Sequence, residues 1–104
     1  MQTAEQEDLP QRGRYYSSVL DVNHLEAGAP YEDMKPTFVI FVCRFDYYGL
    51  GEAVYTFELF DSKKQLSCED GSYIIILNTE CSEEKVPMEL RPLFQYIKTE
   101  IVFI

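Results

Sequence analysis

A run of six apolar residues, Phe38-Val39-Ile40-Phe41-Val42-Cys43, constrains this chain more than any other segment. It is rich in β-branched and aromatic side chains and has no polar alternation, so it reads as a central strand covered on both faces. Ahead of it, Gln11 to Leu25 (QRGRYYSSVLDVNHL) reads as an amphipathic helix. A helix followed by a buried strand is the second half of a strand–helix–strand crossover, which places the chain in the α/β class. The first strand of that crossover is expected just before the helix, where the chain begins at Met1-Gln2. The expectation is therefore a partial α/β domain, with one sheet edge of the apolar strand left open to pairing with another chain.

A chain of 104 residues is one domain at most. The hydrophobic fraction of 46%, with 8 Tyr and 7 Phe, argues against disorder over most of its length. The formal net charge of −9 suits solubility and argues against nucleic-acid binding by this chain alone, because such binding rests on Lys and Arg neutralising phosphates. The three cysteines, Cys43, Cys68 and Cys81, have no Cys-x-x-Cys spacing, and His24 is the only histidine, which argues against a zinc site. The odd cysteine count and the lack of an apolar leader point to a reducing cytoplasm. The apolar runs are too short to cross a bilayer.

Met1 to about Asp8 reads as a flexible polar lead-in, with Asp8 as a cap and Pro10 in the first helical turn. In the first helix Tyr16, Val19, Leu20 and Asn23 fall at helical spacing and form the expected sheet-facing stripe. Gly28 is the expected C-cap, and Pro30 prevents continuation. Val54 to Phe60 alternates as a half-exposed strand nearer an edge, while Ser72 to Asn78 (SYIIILN) reads as a second interior strand after the Asp70-Gly71 turn. Met88 to Glu100 reads as a second helix that starts properly at Pro92, with Leu90, Leu93, Phe94, Ile97 and Ile101 on its apolar face. Residues 101–104 (IVFI) read as a truncated tail.

The string Arg12-Gly13-Arg14-Tyr15-Tyr16-Ser17-Ser18-Val19-Leu20-Asp21 is distinctive. It is followed by Leu25-Glu26-Ala27-Gly28, Tyr31-Glu32-Asp33-Met34, Thr37 to Val42, Tyr55-Thr56-Phe57-Glu58, and Ile74-Ile75-Ile76-Leu77-Asn78-Thr79. In this order these segments resemble the PD-(D/E)XK nuclease family transposases, the bacterial Rpn-like recombination-promoting nucleases. The resemblance implies a partial restriction-endonuclease-like core, a mixed sheet of about three strands with two flanking helices, as a single partial domain over residues 1–104. It also implies an ancestral Mg²⁺-dependent hydrolysis of DNA, with an Asp and a Glu holding the metal.

In this family the last motif often reads Glu-x-Gln just before the Arg-Tyr-Tyr helix. Met1-Gln2 matches its final two letters, and the Glu and the upstream Asp would precede Met1. The resemblance thus makes Gln2 a motif relic and places Arg12 and Tyr16 beside the ancestral site. It implies Mg²⁺ for intact members and no cofactor or metal held by this chain, which is expected to be inactive. Otherwise Tyr16 packs on the sheet and Arg12 and Arg14 pair with Glu7, Asp8 or Asp21. Asp21, Asp46, Glu52, Glu58 and Asp70 read as scattered surface carboxylates, and His24 as a surface residue near a helix end. The alternative function is a non-catalytic protein-interaction or dimerisation module acting through the open sheet edge, by self-association or by pairing with a full-length relative. DNA enters as a partner by resemblance alone.

Overall fold

The computed structural model describes residues 8–100, with side chains as far as Lys98. Gln2, the lead-in before Asp8 and the tail over residues 101–104 lie outside the described residues. Helix α1 spans Leu9–His24, strand β1 Thr37–Cys43, strand β2 Val54–Phe57, strand β3 Ser72–Asn78 and helix α2 Arg91–Glu100, with short 3-10 turns at Tyr31–Asp33, Glu83–Lys85 and Met88–Leu90.

The strands form one sheet in the order β1-β3-β2. At the start of β1, the Thr37 amide donates to the Gly71 carbonyl at 2.8 Å, and at its end Cys43 accepts from the Thr79 amide at 2.9 Å. Start lies beside start and end beside end, so β1 and β3 are parallel. The Asn78 amide at the end of β3 donates to Ala53, just before β2, at 2.8 Å, so β2 is antiparallel and the sheet is mixed. An α/β fold with a three-stranded mixed sheet and two helices is what the chain adopts.

The interior position goes to one strand rather than two. β3 lies between the others, with Ile76 and Leu77 buried. β1, expected inside, is instead an edge of the described sheet, and Phe38 and Ile40 are 53% and 56% exposed. Unbroken apolar character says that a strand is able to be covered on both faces, not how many neighbours it has. β2 stops at Phe57, earlier than the alternation predicts, and Phe60 pairs only in an isolated antiparallel bridge to Ser67.

The chain divides into two compact units. One holds Asp8–Ile40 and Thr56–Ile75. Here α1 lies against β3 through small residues: Gly13 is buried against Ile74, and the Ser17 and Ser72 hydroxyls are 3.2 Å apart. The Thr37 hydroxyl donates to Asp21 Oδ1 at 2.8 Å. The docking face of α1 is therefore Leu9, Gly13, Ser17 and Asp21, with Leu20 half-buried beside it. The expected stripe is rotated away: Tyr16 is 43% exposed, and Val19 and Asn23 are exposed too. The helix also ends sooner than expected. Leu25 is its C-cap, and Gly28, at φ +84°, turns the chain beyond the end. Pro10 sits in the first turn, but Asp8 makes no side-chain capping bond.

The other unit holds, among the described residues, Phe41–Tyr55 and 76–100. Its core includes Cys43, Ala53, Ile76, Leu77, Cys81, Val86, Phe94 and Ile97. Thr79, 1% exposed, donates to the Cys43 carbonyl twice, through its amide and its hydroxyl, each at 2.9 Å. Asn78 is held by a donated bond from Nδ2 to the Glu52 carbonyl at 3.1 Å. These two polar side chains tie the end of β3 to the end of β1 and to the loop before β2, because a buried donor left unmatched is costly. Pro92 lies in the first turn of α2, where its missing N–H is tolerated. Phe94 and Ile97 are buried, whereas Leu93 of the expected face is exposed.

Candidate functional site

Backbone geometry defines the most distinctive surface. In a strand, the N–H and C=O of one residue point to the same side. Thr37 N–H and Cys43 C=O both engage the β3 side, so Thr37, Val39, Phe41 and Cys43 turn their backbone groups toward β3. Phe38, Ile40 and Val42 turn theirs outward, where the described sheet has no further strand. Pro36, next in this outward series, has no N–H to offer, which ends the pairing row at the N-terminal side.

The side chains alternate as well. Thr37 reaches Asp21 of α1, so Phe38 and Ile40 face away from that helix. On β3, Ser72 and Ile74 meet α1, so Tyr73 and Ile75 share the other face. Phe38 and Tyr73 stack there with ring centroids 5.1 Å apart and planes at 12°. An outward row of backbone donors and acceptors thus borders an apolar sheet face, and β1 carries no charged residue, proline or bulge to discourage pairing.

The residues singled out by resemblance are not brought together. Arg12 Nε lies 3.3 Å from Asp8 Oδ2, a partly exposed ion pair one helical turn apart. Tyr16 is exposed, edge-on to Tyr15 with centroids 5.8 Å apart. Gln2 is outside the described residues. Arg14 takes a different place, lining an open groove of about 390 Å³ with Ser17, Ser18, Phe57, Leu59 and Ile74.

The carboxylates are engaged in local structure. Asp46 accepts from the Tyr55 hydroxyl at 2.8 Å, the Gly51 amide at 2.8 Å and the Gly49 amide at 2.9 Å. Partial burial acts to raise its pKa, but the bonds from Tyr55, Gly51, Gly49 and Tyr48 outweigh it and hold the group below the ordinary 3.8. Asp61 accepts from the Lys63 and Lys64 amides, and Glu58 from the Ser67 hydroxyl. No group of three or more His, Cys, Asp or Glu among the described residues is placed to hold a metal ion. Mg²⁺ demands converging oxygen ligands, so the described side chains do not fit the ion that the resemblance implies for intact members. Cys43, Cys68 and Cys81 are free thiols, and burial pushes the Cys43 thiol up. Among the described residues no helix is long and apolar enough to cross a membrane.

The sequence reading found the apolar strand but missed which of its residues face outward. The available signal was the Pro36 break and the even-numbered positions after it, and it needed the pairing partner to be interpreted. No family model, curated protein or solved structure matches this chain.

Proposed function

We propose that this chain is a PD-(D/E)XK nuclease-like scaffold, of the kind found in the transposase family, that acts by strand pairing and does not itself cleave DNA. The family part rests on the Arg-Tyr-Tyr helix, the apolar strand and the IIILNT strand in their order, now seen as a helix lying on a mixed sheet. The reaction expected of that family is Mg²⁺-dependent phosphodiester hydrolysis. Arg12 is paired with Asp8, and Tyr16 is exposed on α1.

The observation that carries the pairing role is the outward row of Phe38, Ile40 and Val42. Strand addition draws affinity from main-chain hydrogen bonds and specificity from alternate side chains, and this edge offers both. The partner is a β-strand of another chain, either a second copy or a longer relative. The acidic charge fits a protein partner better than DNA. The three free thiols support a reducing cytoplasm as its location.

Two measurements test the reading. A cleavage assay on DNA with Mg²⁺ or Mn²⁺ is expected to show no product, and cleavage abolished by Gln2→Ala would overturn the inactive assignment. Amide exchange with a soluble, alternating apolar–polar peptide is expected to slow at Phe38, Ile40 and Val42. Unchanged exchange at all three positions would remove the pairing role.

A further inference from the structure

The groove bordered by Arg14 lies wholly within the unit of Asp8–Ile40 and Thr56–Ile75, and none of the outward residues of β1 lines it. We propose that it binds a small monocarboxylate with an apolar body, Arg14 taking the carboxylate and Phe57, Leu59 and Ile74 covering the remainder. This goes beyond the strand-pairing reading and does not depend on it.

The sequence of α1 builds the polar wall. Arg14, Ser17 and Ser18 stand at i, i+3 and i+4, so they share one side of the helix. The two serines are short and leave space that longer side chains would fill. The Ser18 hydroxyl is spent on the Arg14 carbonyl, at 3.1 Å. The Ser17 and Ser72 hydroxyls lie 3.2 Å apart, and their mutual bond uses one of their two hydrogens. The other hydrogen remains for an acceptor.

Arg14 supplies the charge. Arg12 is paired with Asp8, whereas among the described residues the Arg14 guanidinium has no partner. It is also the one Lys or Arg among the described residues that line the groove. Its planar fork matches a carboxylate through two parallel hydrogen bonds. Glu58 lines the groove as well, held by the Ser67 hydroxyl at 3.1 Å. One arginine with a carboxylate nearby, in a chain of net charge −9, favours a single negative charge over the several carried by a phosphate chain or DNA.

The rest of the lining is apolar and wet. Ile74 is half-buried against Gly13, and Phe57 and Leu59 are 41% and 60% exposed. Covering them with an apolar body removes that surface from water, which is favourable. The volume of about 390 Å³ falls within the range of about 300–1,000 Å³ that sites for small organic ligands occupy.

Octanoate below its micellar concentration is the probe, and octanol is the uncharged control with the same chain. Calorimetry and amide chemical shifts of the intact, isotope-labelled chain are the readouts. Saturable one-to-one binding of octanoate is expected, with shifts centred on Arg14, Ser17, Ser18, Phe57 and Leu59. Octanol is expected to bind about tenfold or more weakly, because it lacks the charge-assisted bonds. Arg14→Gln, at an exposed position, is expected to weaken octanoate by about the same factor. It should leave octanol binding and the circular dichroism spectrum unchanged.

A lack of saturable binding overturns the proposal. Octanol binding as tight as octanoate binding, or octanoate binding indifferent to Arg14→Gln, overturns it too. Shifts centred away from the groove place the ligand elsewhere and have the same force. Shifts at the groove that follow protein concentration without octanoate assign it to a second copy of the chain and overturn the small-ligand reading.

Discussion

Gly13 of α1 and Ile74 of β3 are so close that a Cβ built on Gly13 would lie 2.8 Å from Ile74 Cδ1 and 3.3 Å from Cγ2. Helix and strand approach this nearly because the helix presents hydrogen where another residue would present carbon. The contact fixes which face of α1 meets the sheet, and it turns Tyr15, Tyr16, Val19 and Val22 outward.

Gly13→Ala sets two effects against each other. Helix propensity favours Ala by about 0.5–1 kcal/mol, but the added carbon must displace Ile74, and overpacking of this kind costs about 1–3 kcal/mol. The net expectation is destabilisation by about 1 kcal/mol. Ile74→Val removes the nearest carbon, so the double variant should recover most of the loss. Urea melts of the four proteins, read as a double-mutant cycle, check the coupling.

Thr79 holds the end of β3 by donating both its amide and its hydroxyl to Cys43. Thr79→Val keeps the shape and the amide bond but removes the hydroxyl. A loss of about 1 kcal/mol is expected, seen as a lower urea midpoint with an unchanged denaturant slope. An unchanged midpoint would mean that the hydroxyl bond contributes nothing net.

Asp46 makes stability depend on acidity. Its folded pKa lies below the ordinary 3.8, so the stability it contributes is present above the unfolded value and is lost as pH falls through the folded value. Asp46→Asn should flatten the decline between about pH 5 and pH 3. Equal steepness in both proteins, measured by thermal melting across that window, would contradict the assignment.

The three thiols should react in a set order. Cys68 is exposed, whereas Cys43 and Cys81 are buried, and burial is the leading influence raising the pKa of both. The thiolate is the reacting form. Timed alkylation followed by mass spectrometry should therefore label Cys68 first under native conditions, with the other two following only on unfolding. Rapid native labelling of Cys43 would show that its strand end opens.

Several elements were legible from local pattern alone. Ser72 to Asn78 and Thr37 to Cys43 are apolar enough to be strands wherever they are placed. Pro10 and Pro92 mark first turns because the ring removes a donor those positions do not use. The stripe on α1 was not legible, since Tyr16, Val19 and Leu20 satisfy helical periodicity while Gly13 and Ser17 carry no hydrophobic signal. Close packing selected small side chains over apolar ones. The candidate surface was half legible: an apolar strand follows from the residues themselves, but which of them turn away from β3 depends on a parity that β3 alone sets.

Local chemistry in the chain decided where backbone becomes helix or strand and which strands are able to be buried, because those preferences act over a few neighbouring residues. Tertiary structure decided that β3 and not β1 lies in the middle, that α1 docks through Gly13, and that Phe38, Ile40 and Val42 are the residues that face outward. Each of these depends on a partner distant in sequence, and a hydrogen-bond direction or a packing distance exists only once that partner is in place.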